Sequence, residues 1–92
     1  MSDQFEWDEA KRLANLDRHG FDFRDAALVF DGPRLVAMAK TVAGEERFVL
    51  VGRLRDRYVR VIYTLRGGAI RVISMHGARD DERRGHQALH GR

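Results

Sequence analysis

Ninety-two residues, 43% of them hydrophobic and one of them proline, are enough for one folded domain with one modest core, and they exclude a disordered chain. No apolar run approaches the roughly 20 residues that cross a bilayer, no signal-peptide pattern opens the chain, and zero cysteines exclude disulfides and thiolate chemistry. The net charge of +3 hides a split, because residues 1–46 carry 6 Lys/Arg against 10 Asp/Glu while residues 47–92 carry 11 against 4.

Fifteen of the 17 basic residues are arginine. Its planar fork grips phosphate bidentately, which suits a nucleic-acid partner. A genome that writes Arg for Lys gives the same count. A cysteine-free domain of this size fits a reducing cytoplasm.

Taken in order, Met1 to Gln4 read as a loose terminus, and Phe5-Glu6-Trp7 as a short edge strand. Asp8 is an N-cap for a helix over Glu9–Arg18, with Ala10, Leu13, Ala14 and Leu16 as its buried stripe and Lys11, Asn15 and Arg18 along a polar face. His19-Gly20 ends it. Asp22 caps a second helix whose Phe23, Ala26, Ala27 and Phe30 fall at i, i+3, i+4 and i+7. Asp31-Gly32-Pro33 stops that helix, and Arg34–Lys40 alternates as a strand.

Three further strands follow, Glu45–Arg53, Arg57–Arg66 and Ala69–Ser74, rich in β-branched and aromatic residues. Gly67-Gly68 suits a two-residue hairpin in which both positions take positive φ. Alternation puts Val59, Val61 and Tyr63 on one face, and Tyr58, Arg60, Ile62 and Thr64 on the other. It also sets Ile70, Val72 and Ser74 against Arg71, Ile73 and Met75. Both faces carry apolar residues, so one lies under the helices and the second is partly covered. Beyond Gly77, Asp80-Asp81-Glu82 before Arg83-Arg84 suits a short, frayed helix.

There is no Walker-type loop, no HExxH, no Cys/His cluster and no nucleophile elbow. His86 and His90 stand at i, i+4, more simply two solvated histidines than a metal pair. RNA, however, supplies its own nucleophile in the 2′-OH. Cleaving it needs a base, an acid for the leaving 5′-oxygen, and cations against the phosphorane charge. Arginines on a sheet with one His, Glu or Tyr among them meet that need. His19 stands at the negative end of a helix dipole; Glu46 lies beside Arg47.

The pattern Phe5-Glu6-Trp7-Asp8-x-x-Lys11-x-x-x-Asn15-x-x-x-His19-Gly20-x-x-Phe23 resembles the N-terminal signature of the BrnT toxin family. Glu45-Glu46-Arg47, Gly52, Val61-x-Tyr63-Thr64 and Ile70-Arg71-x-Ile73-Ser74 follow in the family's order. The resemblance implies a RelE-like α+β fold, in which two N-terminal helices pack on a twisted, mainly antiparallel sheet of 4–5 strands with a short C-terminal helix. That makes residues 1–92 one domain, with its core over about 5–76 and a weakly helical segment over 77–92. It also implies a type II toxin, a metal-independent ribonuclease that arrests translation. A ribbon-helix-helix antitoxin of BrnA type would neutralise it and alone carry it to operator DNA, with no cofactor, no metal and no membrane involved.

By that resemblance Arg47, Arg66 and Arg71 hold phosphate, while His19 and Glu46 transfer protons. Lys11, Arg18, Arg60, His76 and Arg79 contact RNA. The chain departs from the family at Met75-His76-Gly77, where an Ala-Arg pair is usual, so His76 or Arg79 stands in for that arginine. The alternative is an attenuated homologue that binds antitoxin and co-represses. A stand-alone nucleic-acid-binding domain is a third reading, disfavoured because no surface aromatic platform is evident.

Overall fold

Alternating β-branched and aromatic residues make Arg57–Arg66 (β4) the centre of a five-stranded sheet. The structure, a computed structural model, describes residues 4–91. The chain runs β1 (Phe5–Glu6), α1 (Glu9–His19), a 3-10 turn (Phe23–Asp25), α2 (Ala26–Asp31), β2 (Leu35–Met38), β3 (Phe48–Leu54), β4, β5 (Ala69–Gly77) and α3 (Asp80–His90). The strand order is β1-β5-β4-β3-β2. The sheet is mixed, because β1 runs parallel to β5 while the other pairings are antiparallel. Of the terminus expected to be loose, Met1–Asp3 lie outside the described residues, and the Gln4 carbonyl accepts from the Ile70 amide at 2.8 Å.

Turn chemistry fixes the hairpins. Gly67 and Gly68 take φ of 58° and 83°, the positive values that a two-residue turn asks for. Before β3, Val42 and Glu45 form an isolated bridge around Ala43 and Gly44, both at positive φ. That tight turn removes Glu45 to Arg47 from the ladder, so β3 begins at Phe48 rather than at Glu45.

One face of the sheet carries Leu50, Leu54, Val59, Val61, Tyr63, Val72 and Met75, all buried, and with Phe21, Phe23, Ala26, Val29 and Phe30 it makes the core. Gly52 lets α2 sit directly on β3, since a Cβ there would stand 2.8 Å from Val29 Cγ1 and 3.2 Å from its carbonyl oxygen. The second face is covered by α3, an eleven-residue helix rather than a frayed turn. Three bonds seat it. His86 Nε2 donates to the Pro33 carbonyl (2.8 Å), His90 Nε2 to the Arg34 carbonyl (2.8 Å), and Arg60 Nε to Glu82 Oε2 (2.9 Å). The two histidines thus bind backbone.

In α1 the expected apolar stripe is not what packs. Leu13 and Leu16 are 53% and 37% exposed, whereas Arg12 and Asn15 are buried. The reason is what the helix meets. β1 pairs only with Ile70 and Arg71, so the later half of β5 has no strand beside it, and α1 lies there instead. Its inner surface faces backbone, which rewards polar groups. Asn15 Nδ2 donates to the carbonyls of Met75 (2.8 Å) and Phe21 (3.0 Å), and its Oδ1 accepts from the Met75 amide (3.2 Å). Arg12 bonds Glu9 and Asp22. Bonds from Arg24, with Arg12 adding to them, hold the Asp22 carboxyl down at about 2.

Candidate active site

A β-bulge shapes the edge that α1 lines. Tyr63 pairs with Val72 but Ile62 pairs with Ser74, so Ile73 has no opposite number. The extra residue flips the parity expected for β5. Met75 turns into the core, and Ser74 and His76 join Arg71 on the second face, opposite Ile62, Arg60 and Thr64 respectively.

Between α1 and β5 lies an open cleft of about 250 Å³, walled by Lys11, Asn15, Arg18, His19, Ile73 and Ser74. His76 stands at its end, its ring centroid 5.0 Å from that of His19. Burial, and then the charge of Arg60, push the His76 imidazole below its usual range, and His19 adds to this. The neutral form of the His76 imidazole is thereby favoured. His19 ends α1 beside the Gly20 cap. Among the described residues no carboxylate lies within ion-pair distance of Lys11 or Arg18.

The other arginines singled out from the sequence sit elsewhere and have company. Arg66 and Arg47 share Glu45, at 2.7 and 3.6 Å. Arg71 pairs with Glu6 at 2.8 Å, its opposite number across the parallel β1–β5 ladder. Arg60 pairs with Glu82, and Arg79 with Asp81 and Glu82. Glu46 is exposed, and its carbonyl accepts from Thr64 Oγ1 (2.7 Å). Thr64 is four residues, about 13 Å, along β4 from Arg60, the partner of His76, so Glu46 stands well away from the His76 end of the cleft. The structure thus gathers Lys11, Arg18, His19 and His76, and keeps Glu46, Arg47 and Arg66 at the other end. Sequence reasoning missed Asn15 and Ser74 as parts of the site. An Asn in mid-helix, where its propensity is poor, was the available signal for the first. For Ser74 the alternation offered none, because it does not encode the bulge, and only its place in the pattern Ile70-Arg71-x-Ile73-Ser74 marked it.

A mixed five-stranded sheet whose edge helix sets unpaired cations beside two facing imidazoles defines a small α+β domain with a cleft suited to a polyanion. The family model for BrnT, the ribonuclease toxin of type II toxin–antitoxin systems, matches residues 7–82. The crystal structure of the Brucella abortus ribonuclease toxin BrnT is similar at 32% identity and a TM-score of 0.66, over 86% of this chain and 100% of that one. No curated protein matches. The chain belongs to the BrnT family of ribonuclease toxins of type II toxin–antitoxin systems.

Proposed function

We propose that this chain cleaves RNA in the α1–β5 cleft without a metal, arresting translation in the cytoplasm. The observation that carries this reading is the His19–His76 pair, 5.0 Å between centroids, beside Lys11 and Arg18, which have no carboxylate partner among the described residues. Lys11 and Arg18 hold the scissile phosphate. His76, neutral, takes the proton from the 2′-OH as that oxygen attacks phosphorus. His19 gives a proton to the leaving 5′-oxygen. The products are a 2′,3′-cyclic phosphate and a 5′-hydroxyl, and one proton has entered and one has left.

A ribbon-helix-helix antitoxin is the partner we infer from the family, and it would carry the complex to operator DNA. The basic second half of the chain suits an acidic antitoxin segment. A second reading, a non-catalytic antitoxin-binding co-repressor, is favoured by one observation. Arg47, Arg60, Arg66 and Arg71 are already paired with carboxylates, which leaves fewer cations for phosphate.

The test is induction of the chain without its partner, followed by growth and total RNA, and then cleavage of a defined RNA in EDTA. Arrest and RNA loss are expected, with His76→Ala and His19→Ala each lowering cleavage about 10²–10⁴-fold. A 2′-deoxy residue at the scissile position should block it. Folded wild-type protein that causes no arrest would move the assignment to the co-repressor.

A further inference from the structure

Arg60 faces His76 directly across the β4–β5 ladder, on the face that α3 covers. Its guanidinium is nearly out of solvent, with 16% of the side chain exposed, and so is its partner Glu82, with 11%. Glu82 has two tasks. Its Oε1 accepts from the Arg79 amide (2.9 Å), closing the N-terminal cap of α3, while Oε2 accepts from Arg60 Nε (2.9 Å). The first turn of α3 therefore fixes both the place and the compensation of the charge behind His76.

We propose that Arg60 is a positioning residue for the proton-accepting form of His76, and that Glu82 of α3 sets how strongly Arg60 acts. This rests on the reading of His76 as the base of the cleft. Arg60 belongs then to the interior of the site rather than to its RNA-binding surface, since its Nε is spent on Glu82.

The physical argument is one of sign. Charged or titratable groups reach His76 from each element packed against it, Arg60 from β4, His19 from the end of α1 and Glu82 from α3. Burial disfavours the imidazolium most, Arg60 next, and His19 also opposes it. A backbone hydrogen bond with Gly77, in which the ring donates, and the charge of Glu82 favour it. In a partly buried site such a cation is poorly screened. Removing Arg60 takes away a repulsion, so His76 should bind its proton more tightly. Removing the Glu82 charge leaves that repulsion bare, so His76 should bind its proton more weakly. A pair serving only as a strut for α3 has no reason to give opposite signs.

Imidazole titration followed by NMR in the full chain reads this directly, with His90 at the far end of α3 as internal reference. Arg60→Gln should raise the His76 midpoint, Glu82→Gln should lower it, and Arg60→Lys should return it close to wild type. Midpoints that move together, or that stay still in folded protein, overturn the proposal. Should Glu82→Gln fail to fold, the double variant Arg60→Gln/Glu82→Gln decides. It should raise the midpoint, because Arg60 acts on His76 more strongly than Glu82 does; an unchanged or lowered value overturns the proposal. The acid limb of RNA cleavage should then move with the NMR midpoint in each variant. Midpoints that shift as stated while cleavage ignores them leave the electrostatic pair in place and remove His76 as the base.

Discussion

Helices α1 and α3 are both eleven residues long, and both are held in place through polar side chains rather than through a leucine stripe. Asn15 and Arg12 seat the first, His86, His90 and Glu82 the second, while Leu13, Leu16 and Leu89 stay largely outside. They differ in what they do to charge. α3 brings Asp80, Asp81 and Glu82 in its first turn and pairs them with Arg60, Arg79 and Arg83. α1 brings Lys11, Arg18 and His19 to an edge where, among the described residues, no carboxylate pairs with them. One helix neutralises a face and the other leaves an edge cationic. The chain's basic excess is thus available in one place and spent in another.

Breaking the α1 side should have the largest consequences, beginning with the loss of cleavage in His76→Ala. Next in size is Asn15→Leu. It takes the Asn15 bonds from the Met75 amide and carbonyl and from the Phe21 carbonyl, at a cost of about 1–3 kcal/mol for each of these backbone groups. Chemical denaturation should report that loss. Cleavage per folded molecule should fall as well, because the bulge that aims Ser74 and His76 loses its anchor. Full activity in a destabilised Asn15→Leu protein would detach the bulge from the chemistry.

The comparison sharpens when cations of the two kinds are removed one at a time. Arg18→Ala takes an unpaired cation from the cleft and should lower kcat/KM roughly 10–100-fold, the worth of a charge-assisted bond to phosphate. Arg66→Ala breaks an exposed pair with Glu45, worth about 0–1 kcal/mol, and should change cleavage less than about 3-fold. Arg47→Ala belongs with Arg66 on this argument, since both share Glu45. Equal losses from Arg18 and Arg66 would mean that RNA displaces Glu45, and that the far end of the sheet is part of the binding surface.

Much of this was legible in the residues. Arg57–Arg66 alternates cleanly and forms β4 over that same range, and Gly67-Gly68 names its own turn. Asp8 and Gly20 announce their caps, and each makes the bond expected of it, whereas Asp22 caps the 3-10 turn over Phe23–Asp25 and α2 starts only at Ala26. What failed has a common cause. Periodicity assumes that a helix packs against side chains, and α1 packs against the bare flank of β5, so its buried residues are an Arg and an Asn. Strict alternation assumes no bulge, and one unpaired residue at Ile73 exchanged the faces of Ser74 and Met75. The pairing of Arg71 with Glu6, 65 residues away, and of Arg60 with Glu82 follows from strand order and from α3 folding back, which local pattern does not encode.

The smallest effect tests how rigid the α3 cover is. Gly85 lies in the middle of α3 over β2, and an added Cβ would stand 3.1 Å from Leu35 Cδ2. Helix propensity favours alanine there by about 1 kcal/mol. The contact opposes it, being shorter than the 3.5–4.0 Å at which carbon pairs attract. The obstacle, however, is the end of a half-buried side chain on an edge strand, which has room to turn. Propensity should win, and Gly85→Ala should raise Tm by roughly 2–6 °C with cleavage unchanged. A fall in Tm would mean that Leu35 is locked, and that the α3 face is packed as tightly as the core under α2. A change in cleavage at constant stability would mean that α3 reaches the cleft by more than Glu82, because Gly85 touches none of the groups that face His76.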